Sequence, residues 1–224
     1  FKAGVALAEV QDIVELGVEL KTGVSVTSVE QLLAQFDAVF VGIGLGGTKR
    51  LGIPGEDLPG VIDALTFIEH LKTHPYRETS VGRQVVVIGA GNTAIDAVTQ
   101  AKRLGAASST IVYRRGEADM SAYHYEYELA KQDGCGFRFN AIPQRIVGNG
   151  AVRGVELSTG ETIPCDMIIV AIGQTERTEL TIPTDRRVFT GGDCANGGAE
   201  IVNAAAEGVT AAKRINAMLA NKGR

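Results

Sequence analysis

Between Gln84 and Ala106 the chain reads QVVVIGAGNTAIDAVTQAKRLGA. Gly89, Gly91 and Ala94 form a G-x-G-x-x-A pattern behind an apolar run. Each small residue has a physical task in such a turn. The first glycine permits a tight bend, the second lets a diphosphate lie against the backbone, and the third lets helix and strand pack closely. Asn92 and Thr93 open the following helix, whose first N–H groups are unpaired and whose dipole is positive there. That end of a helix takes anions. Six residues alone are a weak signal. Here a strand precedes them, a helix follows, and a second strand, STIVYRR, completes a βαβ unit.

The second strand indicates which dinucleotide is expected. A site for NAD places a carboxylate about 20 residues beyond the turn, on the ribose 2′-hydroxyl. Counting on from Ala94 reaches Arg114, followed by Arg115. A carboxylate repels a 2′-phosphate, whereas a guanidinium binds it through two parallel hydrogen bonds. The expectation is NADPH, with Arg114 and Arg115 on the extra phosphate. The plain alternative is a pair of solvated arginines at a strand end.

Positioning these residues requires an α/β framework. Val5 to Leu16 reads as a helix, GVELKTGV as a short strand, and SVEQLLAQ as a helix capped by Ser28. FDAVFVGIGLG is an apolar strand ending in glycines. DALTFIEHLKTH is a helix with a stripe at Leu65, Ile68 and Leu71, stopped by Pro75. EYELAKQDG is helical and stops at Gly134. GFRFNAIPQRIV, VRGVELS and TIPC are three strands punctuated by Asn149-Gly150 and Thr159-Gly160. DMIIVAIGQ is another strand, Phe189 to Gly192 ends the last one, and AEIVNAAAEGVTAAKRINAMLA is a long final helix. DAVFVGIG at 37–44 and DMIIVAIG at 166–173 resemble each other, as two related nucleotide-binding lobes would.

Composition narrows the function classes. The 224 residues are 45% hydrophobic and 21% charged, ordinary for a globular protein. A net charge of −4 disfavours nucleic-acid and anionic-membrane partners, which need a basic face. No apolar run approaches the roughly 20 residues of a membrane span, and the first residues do not read as a signal peptide. Cys135, Cys165 and Cys194 are odd in number and widely spaced, without C-x-x-C, which suggests a reducing, cytoplasmic setting. The spacing of His70 and His74 lacks the glutamate of a helical zinc motif, so no metal site is expected. Tyr123, His124, Tyr125 and Tyr127 read better as helix packing than as a stacking platform. The chain starts at Phe1 rather than Met, so an incomplete chain is expected.

VVVIGAGNTAIDA, VYRRGEADMSA, IIVAIGQ and VFTGGDCANGGAEIVNAAAEG together resemble the glutamate synthase small-subunit family of NADPH-dependent FAD oxidoreductases. The NADPH–flavin part of dihydropyrimidine dehydrogenase and NADPH-dependent ferredoxin reductases are related to it. The likeness runs over nearly the whole chain. It implies two Rossmann-like dinucleotide-binding lobes of parallel sheet with a small antiparallel meander, the NADP lobe inserted in an incomplete FAD lobe. The expected division is residues 1–76 for part of the FAD lobe, 77–174 for the NADP lobe, and 175–224 for the return. Cofactor contacts would come from Gly89, Gly91, Asn92, Thr93, Arg114, Arg115, Gly173, Gly192, Asp193 and Ile201. By the same resemblance Gly191, Gly192 and Asp193 would form a flavin segment, with Asp193 on a ribityl hydroxyl. The helix from about Glu200-Ile201-Val202 would point its positive end at the flavin ring.

The activity implied is hydride transfer from NADPH to FAD in an electron-input module. A larger catalytic subunit or an iron–sulfur protein would accept the electrons. No catalytic side chain is assigned, because hydride transfer between stacked rings needs no acid or base. The alternative is an NADPH-binding fragment or sensor without functional flavin. A disulfide reductase of the thioredoxin reductase type lacks its C-x-x-C. By the same resemblance a strand, G-x-G-x-x-G turn and helix should open the FAD lobe. GIGLGG at Gly42 to Gly47 lacks a following helix of the right kind, and QTERTELTIPTDRRVF is shorter than the family's stretch before GGD. The FAD site is therefore expected to be incomplete in this chain, as in a fragment or a chain with parts missing near Gln174 to Val188.

Overall fold

The computed structural model describes residues 3–176 and 179–222. The chain divides into two compact units. One holds the residues up to Gly47 and from Gln174 onward, and the other holds Thr48–Gly173.

The first unit opens with helix α1, Ala3–Glu15, and helix α2, Val29–Leu33. Ser28 caps α2 as expected, its hydroxyl accepting the Gln31 N–H at 3.3 Å. Strand β1 is Val39–Val41. The strand expected over residues 17–24 does not form, and all eight residues are exposed. A strand is held by ladder partners, and this segment has none among the described residues.

Strand β2 is Gly47–Thr48, and β3 is Val61–Asp63. Helix α3, Ala64–Thr73, is capped by Asp63, whose carboxylate accepts the Thr66 N–H at 3.0 Å. β4, Gln84–Ile88, helix α4, Asn92–Arg103, and β5, Ser108–Val112, form the expected βαβ unit. Helix α5, His124–Gln132, leads to β6, Gly136–Arg138. The strand expected from Gly136 onward is two strands. Asn140, the one non-glycine residue with positive φ (53°) among those described, separates β6 from β7, Pro143–Gly148. Strands β7, β8 (Val152–Leu157) and β9 (Thr162–Pro164) form an antiparallel meander. β10 is Met167–Val170.

The sheet of this unit is parallel, in the order β3-β10-β4-β5-β6. β3 pairs with β10, so residues 48–76 belong here and the expected boundary at 76/77 falls inside the unit. Proline and glycine around residues 50–60 mask so short an edge strand. Side chains alternate across the sheet. Val85, Val87, Ile111 and Ile169 pack with Ala94, Ala97, Val98 and Ala101 of α4 and Phe67 of α3. Val86, Ile88, Val112, Ile168 and Val170 pack instead with Ile146, Val155 and Leu157 of the meander. Both faces of the sheet are therefore covered, as a parallel sheet requires. Asp166 fixes the start of β4, accepting the N–H groups of Arg83 (3.0 Å) and Gln84 (2.8 Å).

Returning to the first unit, β11 is Gln174–Thr175 and pairs with β2. β12, Val188–Thr190, runs parallel to β1. Helices α6, Asp193–Asn196, and α7, Ile201–Lys222, complete the chain. The buried apolar cluster of this unit is small: Val29, Val39 and Val41, with Leu32, Leu33 and Val188 packed against it. No helix among the described residues is long and apolar enough to cross a membrane.

Candidate functional site

In the parallel sheet β4 is the switch point. The chain goes from β4 to β5 and β6 on one side, and β10 and β3 lie on the other. Open α/β sheets bind ligands in the crevice at the carboxyl ends of such strands, and the turn Gly89–Gly91 stands there.

Gly89 has φ of 133°, and a β-carbon on it would collide with the Ala171 carbonyl at the end of β10. No other residue adopts that conformation in that space. Its N–H donates to the Val112 carbonyl at 3.1 Å, tying the bend to β5. Ala94, the third small residue, is fully buried between helix and sheet. Gly91 is the N-cap of α4 and has no side chain to cap it. The first amides of a helix lack intrahelical acceptors, which leaves those of Asn92 and Thr93 facing outward as donors. Donors and dipole at this turn suit a diphosphate.

Arg114 and Arg115 lie just past β5, after Tyr113, and are exposed. Neither enters an ion pair among the described residues, whereas Arg103, Arg138 and Arg145 each hold a carboxylate. The Arg115 backbone is anchored, its carbonyl accepting the Asn140 N–H at 2.9 Å. Asn140 had no visible signal beyond asparagine's tolerance of the left-handed region. Gly173, with φ of 116°, ends the β10 stretch beside the Lys49 stem.

Asn92 differs from its sequence-based assignment in one respect. Its side-chain oxygen accepts the Tyr123 N–H at 3.0 Å and so faces protein. Tyr127 is buried, edge-on to Phe137 with centroids 4.8 Å apart, the packing role expected for that cluster. Nearby, Glu126 Oε2 is buried without a hydrogen-bond partner, while Tyr125 donates its hydroxyl to Oε1 at 3.1 Å. A single glutamate in an exposed-looking helix gave no sequence signal. A cavity of about 200 Å³, lined by Ile68, Leu71, Lys72, Tyr76, Asp96 and Gln100, lies beside α3 and α4.

The thiols of this unit are inert. Burial pushes Cys135 up to about 11 and Cys165 up to about 12. A thiol in that range supplies little nucleophilic thiolate near neutral pH.

In the other unit, Gly192 has φ of 73°, and its N–H donates to Glu207 Oε2 at 2.5 Å. Glu207 also accepts Asn196 Nδ2 at 3.0 Å, so this α7 residue, not singled out in the sequence, pins the Gly191–Asp193 segment. Asp193 Oδ1 accepts the Ala199 N–H at 3.1 Å. Ile201, at the start of α7, is 84% exposed. Among the described residues this unit holds no second glycine turn leading into a helix behind a strand. It fits part of an FAD site only, and the two-stranded pairing of β1 and β12 supplies no diphosphate cradle.

The sequence profile described as pyridine nucleotide-disulphide oxidoreductase matches residues 5–208. The chain is 32% identical to the glutamate synthase [NADPH] small chain of Halomonas elongata over 90% of its length, covering 54% of that protein. It is 37% identical to the NADPH-Fe(3+) oxidoreductase subunit beta of Geobacter sulfurreducens, over 66% of this chain and 25% of that one. The chain therefore spans about half or less of the length of these relatives. The fold matches Mycobacterium tuberculosis FprA in complex with NADPH at a TM-score of 0.68 and 19% identity, over 87% of this chain and 66% of that one.

Proposed function

Because the chain belongs to the pyridine nucleotide-disulphide oxidoreductase family, we propose that residues 48–173 are an NADPH-binding lobe and that the protein is an electron-input module. One observation carries this reading. The Asn92–Thr93 amides and the Arg114–Arg115 guanidiniums, without partners among the described residues, occupy the carboxyl ends of adjacent strands, β4 and β5. A dinucleotide with a 2′-phosphate has its anionic groups at that spacing along one end of a sheet.

The chain's own residues bind and orient. The glycine turn admits the diphosphate to the backbone, α4 lends its positive end, and the arginines discriminate for the extra phosphate. NADPH, when bound, supplies a hydride to a flavin, and the chemistry belongs to the cofactors. Gly192, Asp193 and Ile201 stand for the flavin side, for which no diphosphate turn lies among the described residues. Similarity to a glutamate synthase small chain and to the beta subunit of an NADPH-Fe(3+) oxidoreductase supports a glutamate synthase-like assignment. The electrons would pass to a larger subunit or an iron–sulfur protein. Three free cysteines, two of them buried, fit work in the cytoplasm and leave no thiol pair for disulfide exchange.

The experiment is anaerobic addition of NADPH to the purified protein in the presence of FAD. Loss of the yellow colour supports electron input. Yellow colour that persists while NADPH binds supports the alternative, a coenzyme-binding module without functional flavin. Absence of NADPH binding ends both readings.

A further inference from the structure

The segment that follows β5 carries Arg114 and Arg115 and then returns to the glycine turn. At its near end it is closed on itself. The Tyr113 hydroxyl donates to the Asp119 carbonyl at 2.8 Å, and the Gly116 N–H donates to Asp119 Oδ2 at 3.2 Å. At its far end it is fastened to the turn. The Ala122 N–H donates to the Ala90 carbonyl at 3.2 Å, and the Tyr123 N–H to Asn92 Oδ1 at 3.0 Å. Ser121 Oγ lies 3.3 Å from the place a β-carbon on Gly91 would take, so the strap lies close against the bend. Asn92 makes the one side-chain fastening between turn and strap among the described residues. Facing an N–H, its amide must present oxygen.

We infer that Asn92 is a positioning residue for recognition of the 2′-phosphate. Its side chain holds the far end of the strap to the turn and so, together with the Asn140 N–H on the Arg115 carbonyl at the near end, sets where the two guanidiniums stand relative to the amides of α4. This rests on residues 48–173 being the NADPH lobe. The donors for the diphosphate belong to the turn and to α4, and do not depend on the strap. The donors for the 2′-phosphate sit on the strap itself. Loosening the strap therefore penalises the phosphorylated coenzyme more than the unphosphorylated one.

The test compares dissociation constants of NADPH and NADH for the full chain carrying Asn92→Ala, Tyr123→Pro, or both. Tyr123 has φ of −63°, which proline adopts while losing the N–H. Each single change is expected to lower the NADPH-over-NADH preference about three- to tenfold, the effect of one lost hydrogen bond. The double variant should be no worse than the weaker single one, since both remove the same bond. Amide exchange at Ala122 should quicken in each. Tyr123→Pro leaves Asn92 in place, so the inference stays testable if the alanine variant does not fold. Equal weakening of both coenzymes overturns it and makes Asn92 a diphosphate ligand. Unchanged affinities overturn it as well. A parent chain without preference for NADPH instead ends the lobe assignment, and this inference with it.

Discussion

In residues 48–173 the central strand β4 has a neighbour on each side and a covered face above and below; in the other unit, among the described residues, β1 pairs with β12 alone. The apolar residues are not scarcer there. Val5, Leu7, Val10 and Ile13 give α1 its hydrophobic character and Leu16 follows it, yet Leu7 is 69% and Leu16 85% exposed. Val18, Leu20, Val24 and Val26 are exposed in the same way. Apolar patterning is local, whereas burial needs a partner surface. Burial stabilises by roughly 25 cal/mol per Å², so the first unit by itself lacks most of what holds the second together. A 13-residue helix with no packed face is marginal in water.

Matched glycine substitutions test this contrast most severely. Gly89→Ala meets both a forbidden φ and the Ala171 carbonyl, and is expected to cost more than about 3 kcal/mol. Gly44, with φ of 64°, has open space around its β-carbon position, and Gly44→Ala should cost about 1 kcal/mol. Denaturant titration of the two variants measures the difference. Equal losses would break the comparison.

Thiol labelling sharpens it. Cys135 and Cys165 are buried in the closed unit and held as thiols, while Cys194 is half-buried in the open one. At pH 8 one thiol per chain should react, with the other two slower by roughly a hundredfold until unfolding. Mass spectrometry of the labelled peptides reads the order. Early labelling of Cys165 would contradict the closed core.

The smallest effect concerns acid. The Arg187 guanidinium and backbone N–H hold the Asp185 carboxyl down at about 2. A folded-state pKa below the unfolded one adds stability above the unfolded value and loses it as pH falls through the folded one. The pair should therefore keep its contribution above about pH 4 and lose it toward pH 2. Arg187 also donates to the Leu33 carbonyl at 3.2 Å, so the Leu33 resonances report the loss. Asp185→Asn should flatten that dependence, with little change at neutral pH because the pair is solvent-accessible.

The strand–turn–helix from Gln84 to Arg103 was legible because every signal in it is local: a buried apolar run, two glycines, an alanine-rich helix face. Ser28 was legible as a cap for the same reason. The strand expected at 17–24 was misread because its residues have strand character without a partner strand. β3 was missed because three residues at a sheet edge give no period, and with it went the unit boundary. Around the candidate site, Arg114 and Arg115 could be placed by counting along one βαβ unit. The Asn92–Tyr123 bond spans 31 residues and uses a backbone N–H, which carries no mark in the sequence. Glu207, reaching back 15 residues to the Gly192 N–H, was hidden likewise.

Calorimetric titration of the 224-residue chain with NADPH and with NADH, repeated on Arg114→Ala/Arg115→Ala, tests the central claim most directly. NADPH should bind the parent more tightly than NADH, and the double variant should lose about a hundredfold or more for NADPH while NADH changes little, since charged hydrogen bonds are the strong ones. A parent that binds both alike, or a variant that leaves their ratio untouched, would contradict the assignment of the strand-end arginines to a 2′-phosphate.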